Sequence, residues 1–160
     1  MVIMSTERSL STLFRSSMTI EKALPLYEPG LYSPIEAIAK GAGNCAARAF
    51  FSGVDLLENG FDEVGFLIQK SHGTRGNPEH AAVDVDLLGI GDVDQRFVIE
   101  SNDEPKVWPT VWTPRIREHY KSFTLEEGIA VYADRLGGAL PSFDEMYEAV
   151  SQSLRLAKAL

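Results

Sequence analysis

The chain contains a single cysteine, Cys45, and the residues around it are typical of a helix start. Gly41 and Gly43 precede it, Asn44 is a suitable N-cap, and a run of small helix-forming residues follows. The N-terminal end of a helix carries partial positive charge, which favours a thiolate over a thiol. Because the thiolate is the form that attacks carbonyl carbons, Cys45 is a candidate nucleophile.

A histidine at the start of a predicted strand is the candidate base. The segment 80–88 alternates in polarity as a strand does, and His80 is its first residue. Thiol acyl transfer needs a base within hydrogen-bond reach of the sulfur and a third group that orients the base. Cys45 and His80 supply the first two parts if the fold brings them together. His72 and His119 lie in polar segments and are predicted to be solvent-exposed.

The third group is predicted from strand pairing. Residues 96–100 are expected to form an antiparallel strand that returns beside the histidine strand. That hairpin places His80 near Asn102, with Glu100 one side-chain step away on the same face. Glu100 and Asn102 are therefore alternative orienting groups, and Asp103 is a third. A carboxylate also stabilises an imidazolium, which an amide does less well.

The remaining pattern indicates helices, then a small antiparallel sheet, then helices, which is the order of a single α+β domain over residues 1–160. We expect a strand over 63–69 and irregular backbone over 103–114. Residues 5–17 are expected to form a short helix or to remain loose. The other predicted helices are 34–39, 44–57, one from Thr124 and one from Ser142, the last two opened by capping boxes.

Composition restricts the function classes. The net charge of −8 argues against nucleic acid and anionic membranes as main partners. No apolar run approaches the ~20 residues of a membrane span, and the first 17 residues lack the apolar core of a signal peptide. A lone cysteine cannot form an internal disulfide, so a cytoplasmic protein is expected. No pattern indicates a metal or a cofactor.

Each candidate residue also has a simpler interpretation. A lone cysteine followed closely by three alanines is typical of an inert, buried small residue. A histidine at a strand start can simply be solvated. The hypothesis therefore depends on the combination of residues rather than on either one.

That combination resembles the transglutaminase-like superfamily of papain-type cysteine enzymes. Residues 41–61 are similar to that family's nucleophile helix and the turn that follows it. Residues 80–85 are similar to its histidine strand, which typically reads His-Ala-Trp-Val-Glu-Val, although Ala82 replaces the tryptophan. Residues 97–101 stand where the family has its orienting aspartate, commonly in Asp-Pro-Thr, and here Glu100 takes that place. The resemblance covers roughly residues 35–103 of the chain.

The resemblance implies a papain-like, transglutaminase-like core in which the nucleophile helix packs on a small antiparallel sheet. The C-terminal helices, at about 124–160, are additions to that core. It also implies a triad of Cys45, His80 and Glu100 that acts on amide or peptide bonds of a protein or peptide substrate. The backbone N–H of Cys45 is expected to be one oxyanion donor.

Several points stay open at the level of sequence. The second oxyanion donor is not identified, and Tyr27, Tyr32 and Asn44 are all close to Cys45 in the chain. Members of the superfamily include proteases, amidases, protein cross-linkers and inactive scaffolds. The alternatives to a hydrolase are therefore a binding or scaffold protein without catalysis, and a protein glutamine deamidase or transglutaminase. Hydrolysis is favoured over transamidation because no second amine site is apparent.

Overall fold

The computed structural model describes residues 10–70, 80–87, 96–100, 108–111 and 118–160. The described part of the chain contains five helices: α1 (Leu10–Ala23), α2 (Pro34–Lys40), α3 (Cys45–Glu58), α4 (Leu125–Arg135) and α5 (Phe143–Lys158). It also contains seven strands: β1 (Leu26–Tyr27), β2 (Ala42–Gly43), β3 (Val64–Gln69), β4 (Ala81–Asp86), β5 (Arg96–Glu100), β6 (Trp108–Val111) and β7 (Tyr120–Phe123). The predicted mixed α+β class is confirmed. No helix within these ranges is long and apolar enough to cross a membrane.

Three helices start where the sequence predicts them because each has a side-chain cap. The Asn44 side chain accepts hydrogen bonds from the backbone amides two and three residues further on, which opens α3. Thr124 and Ser142 each accept from the amide three residues further on, which opens α4 and α5. Gly41 ends α2 with a φ of 64°, a left-handed conformation that glycine adopts without steric cost.

Five strands form one antiparallel sheet in the order β6-β5-β4-β3-β7. The predicted pairing of the histidine strand with residues 96–100 is confirmed, since Val83 pairs with Ile99 and Asp84 with Val98. Strands β1 and β2 form a separate, short parallel pair. This register sets Glu100 beside the beginning of β4.

Two predictions about the backbone need correction, and one strand had no prediction. Residues 103–114 are not irregular throughout, because 108–111 form β6. Pro109 lowers the strand signal there, yet it is compatible with a strand at the edge of a sheet, where one backbone donor is dispensable. Strand β7 was not predicted. Helix α1 extends to Ala23, well beyond the short helix expected to end at 17.

Helix α3 lies in the centre of the molecule. Every residue from 45 to 56 is buried, including Phe50 and Val54, which are fully enclosed. One face of the sheet, with Phe66 and Val83, belongs to the same apolar core. Burial of a large apolar side chain contributes about 1.5–3 kcal/mol each, so this helix is held firmly. Its first residue, Cys45, is consequently fixed relative to the sheet.

Helix α4 lies close to strand β3. Gly128 makes this possible, because a Cβ at that position would lie 2.4 Å from Cδ1 of Phe66. The side chains of Ile129 and Tyr132, on the same helix, are buried in the core. Helix α4, which follows the residues that carry the resemblance, therefore packs against the apolar core.

A buried ion pair joins β4 to β5 at the end of β4 remote from His80. Asp84 is 1% exposed and accepts from Nε of Arg96 at 2.8 Å and from Nη2 at 3.0 Å.

Asp84→Ala is expected to lower the free energy of unfolding by about 3 kcal/mol, because it leaves a charged guanidinium without its main partner. Urea denaturation measures the loss. The matched control is Glu63→Ala, since the Glu63 side chain is 67% exposed at 3.5 Å from the same arginine. Equal losses in both variants would contradict a special role for the buried pair.

Candidate active site

Cys45 is the first residue of α3, as the sequence predicts. The Asn44 cap leaves the thiol at the positively polarised end of the helix. The Cys45 side chain is nearly enclosed, with the residue 3% exposed. The thiol is therefore held in a defined position with little contact with solvent.

His80 lies immediately before β4 rather than inside it, because the strand begins at Ala81. Its carbonyl oxygen still accepts a hydrogen bond from the Gln69 amide at 3.0 Å, which ties it to β3. The His80 imidazole and the Cys45 thiol lie close enough to shift each other's pKa, and the backbone of Ala81 also lowers the pKa of the thiol. The fold thus brings the predicted nucleophile and the predicted base close together.

Of the three residues predicted to orient His80, the structure describes Glu100, which lies beside the imidazole. Its Oε1 is 3.6 Å from Nε2 of His80, with side-chain exposures of 45% and 28% respectively. This separation is that of an ion pair and exceeds the ~2.6–3.2 Å of a direct hydrogen bond. Asn102 and Asp103, the other two candidates, lie outside the described residues. The partly exposed imidazole and carboxylate form the side from which solvent reaches the site.

The three groups shift one another's ionisation. Burial raises the pKa of the Cys45 thiol, but the hydrogen bond from His80 and its positive charge outweigh burial, so the net pKa is lowered. Burial likewise lowers the pKa of His80, but its interactions with Cys45 and then with Glu100 raise it to about 9. The interaction with His80 lowers the pKa of the Glu100 carboxyl. Together these shifts favour thiolate, imidazolium and carboxylate at neutral pH.

Tyr132 of α4 is a member of the site that the sequence does not reveal. Its hydroxyl lies 4.0 Å from Sγ of Cys45 and accepts a hydrogen bond from Nδ2 of Asn44 at 3.3 Å. Burial and then the thiolate charge raise the pKa of this phenol, so it stays protonated. Tyr132 is far from Cys45 in the chain, and no spacing rule connects the two positions.

The tyrosines suggested by sequence proximity have other surroundings. The Tyr32 ring lies 5.9 Å from the Tyr132 ring, and its hydroxyl packs against Gly138. Tyr27 belongs to the short strand β1. The Tyr132 hydroxyl lies 4.0 Å from the Cys45 sulfur, although Tyr132 is far from Cys45 in the chain.

A second aromatic residue borders the histidine. The Tyr120 ring of β7 meets His80 edge to face, with ring centroids 6.2 Å apart. Burial, and then the charges of Glu100 and Cys45, raise the pKa of Tyr120 to about 12. A neutral ring packed on the imidazole restricts its rotation, which helps to keep it between the thiol and the carboxylate.

Of the other two histidines, the structure describes one. His119 is exposed, as predicted, and His72 lies outside the described residues. Within the described ranges, no cluster of three or more His, Cys, Asp or Glu side chains is arranged to hold a metal ion. No protein-family model matches the chain, and no curated protein matches its sequence. The functional argument therefore depends on the geometry of Cys45, His80, Glu100 and Tyr132.

Proposed function

We propose that the protein is a cysteine-dependent acyl-transfer enzyme that acts on amide or peptide bonds through Cys45, His80 and Glu100. The observation that carries the proposal is the convergence of a helix-start thiol on an imidazole that is itself paired with a carboxylate. Perturbed ionisation of adjacent groups in a partly open site is typical of catalytic centres.

The chemistry follows from the assigned protonation states. The Cys45 thiolate attacks the substrate carbonyl, an S–C bond forms, and the carbonyl π pair moves to oxygen. When this intermediate collapses, the C–N bond breaks and the leaving amine takes the proton of the His80 imidazolium. Neutral His80 then removes a proton from water, which attacks the thioester. The second collapse releases a carboxylic acid and regenerates the thiolate and the imidazolium. Glu100 stabilises the positive imidazole in both halves.

We propose further that the fold is a transglutaminase-like, papain-like core. Its support is the arrangement of parts: a buried helix that begins at the thiol, an antiparallel sheet beside it, the base immediately before β4 and the acid at the end of the adjacent strand β5. Helices α4 and α5 are additions after residue 124, and α4 contributes Tyr132 to the site.

Hydrolysis of a protein or peptide amide is the favoured reaction. The described part of the site offers solvent access through His80 and Glu100, and water is the default acceptor when it can reach a thioester. A cytoplasmic location is part of the proposal, since a thiolate nucleophile works best where thiols stay reduced.

The burial of Cys45 supports a second candidate function, an inactive scaffold with the same fold. A thiol that is 3% exposed is poorly placed for a bulky substrate unless the surrounding residues move. Reaction with an acyl donor separates the two candidates. Glutamine-containing peptides then separate hydrolysis of the main chain from deamidation or cross-linking of glutamine side chains.

Thiol alkylation tests the ionisation on which the proposal depends. The rate of Cys45 alkylation by iodoacetamide is expected to be on its plateau well below pH 8, because the lowered pKa keeps the thiol ionised. His80 has a raised pKa, so its charge persists up to about pH 9 and the ion pair is lost above it. Cys45→Ser is the control for labelling elsewhere. If the rate rises only near the ordinary thiol pKa of ~8.5, Cys45 is an unactivated thiol and not a nucleophile.

A further inference from the structure

The side-chain amide of Asn44 has one defined orientation. Its Oδ1 accepts from the backbone amides of Ala46 and Ala47, at 3.0 and 3.1 Å, so the oxygen must face the helix. Its Nδ2 is then directed at the Tyr132 hydroxyl oxygen, 3.3 Å away. A side-chain amide nitrogen can only donate, so the phenol oxygen is the acceptor in this contact.

This orientation determines what the Tyr132 proton can do. Because Asn44 occupies one lone pair of the phenol oxygen, the O–H points elsewhere, and the Cys45 sulfur lies 4.0 Å away. That distance is at the outer limit of a hydrogen bond to sulfur. An oxygen on a carbon atom bonded to Sγ can lie to one side of the sulfur–phenol line, within hydrogen-bond reach of the phenol, and would be a closer acceptor than the sulfur. The donor is therefore better placed for an intermediate than for the resting thiolate.

We propose that the Tyr132 hydroxyl is the second oxyanion donor of this site and that Asn44 aligns it. The inference deepens the proposed acyl-transfer function and depends on it. When Sγ attacks the carbonyl carbon, the S–C bond forms and the π pair becomes an oxyanion, which accepts from the Tyr132 O–H and the Cys45 backbone N–H. On collapse the electron pair returns to re-form C=O, and the nitrogen leaves with the proton from His80.

Tyr132 has the properties that such a donor needs. The residue is 1% exposed, and a hydrogen bond to a developing charge is worth more in a site with little water. Its raised pKa keeps the phenol protonated throughout the working pH range. The close approach of Gly128 to Phe66 and the contact with the Tyr32 ring fix α4 in place. The donor is thus positioned before substrate arrives.

Two reactions of the same thiol separate this role from general support of Cys45. Acylation by p-nitrophenyl acetate passes through an oxyanion, whereas alkylation by iodoacetamide displaces iodide at a saturated carbon and forms none. Tyr132→Phe is expected to lower the acylation burst rate by about 10²-fold. The alkylation rate on its pH plateau is expected to stay close to that of the wild-type protein. Tyr32→Phe is the matched control and is expected to change neither rate, because its hydroxyl packs against Gly138.

A second variant tests the alignment by Asn44. In Asn44→Asp the carboxylate can still cap α3, but it accepts the Tyr132 proton and draws it away from the oxyanion. The acylation rate on the plateau is expected to fall as in Tyr132→Phe, and the double variant is expected to be no slower than either single one. Thermal unfolding checks that each variant is folded.

The possible outcomes distinguish this inference from the function on which it depends. No acylation burst in the wild-type protein would overturn the acyl-transfer function and the oxyanion role together. A wild-type burst that Tyr132→Phe retains would overturn the oxyanion role alone. Equal losses of acylation and of plateau alkylation would show that Tyr132 supports the thiol and not the oxyanion, which would also overturn it.

Discussion

His80→Ala is expected to slow acyl transfer by about 10⁴-fold, the upper range for loss of a general acid–base group. The substitution removes the proton donor for the leaving amine and the base for the attacking water. It also removes the hydrogen bond and the positive charge that lower the pKa of Cys45. Alkylation at pH 7 is therefore expected to slow as well, with its midpoint moving toward higher pH. Steady-state kinetics and the alkylation profile measure the two effects.

The other two histidines provide the controls for this variant. His119→Ala changes an exposed residue and His72→Ala changes a polar segment, so neither is expected to alter turnover or the thiol pKa. Circular dichroism and thermal unfolding verify that all three variants are folded. Similar losses from all three would mean that the choice of His80 reflects a sequence pattern and not its chemistry.

The helix that begins at Cys45 and the strand that follows His80 were predictable because the signals are local. Asn44, Thr124 and Ser142 are short polar side chains directly before helical runs, and capping is decided within one turn. The pairing of β4 with β5 was predictable because these strands are close in sequence and the hairpin constrains the register. Cys45 and His80 follow from those elements, one at a helix start and one at a strand start.

The parts that escaped prediction depend on contacts between distant segments. Tyr132 reaches Cys45 only because α4 packs beside β3, a contact between segments far apart in sequence. Strand β7 is short, and its formation depends on pairing with β3. Pro109 masks β6, since proline is tolerated in a strand only if that strand lies at an edge. Whether a strand lies at an edge depends on the whole sheet, so it cannot be predicted from the residues of that strand alone.

Glu100→Gln is expected to lower kcat/KM by about 10²–10³-fold, less than the ~10⁴-fold loss for a buried orienting aspartate in a serine protease. Glutamine keeps the length of the side chain but removes the charge that pairs with the imidazolium. The 3.6 Å separation and the 45% exposure of the carboxylate limit the effect, because water screens part of the interaction.

The pH dependence of the reaction rate distinguishes loss of the Glu100 charge from loss of packing. Glu100 helps to raise the pKa of His80 to about 9, so the uncharged variant is expected to have a lower His80 pKa. The imidazolium is then lost at lower pH, and the alkaline limb of the rate profile moves down. NMR titration of His80 measures the same change without substrate.

Asn102→Ala is the competing test. A larger loss of kcat/KM in Asn102→Ala, with a normal alkaline limb in Glu100→Gln, would transfer the orienting role to Asn102. If neither variant affects turnover or the His80 pKa, the active unit is the Cys45–His80 dyad alone.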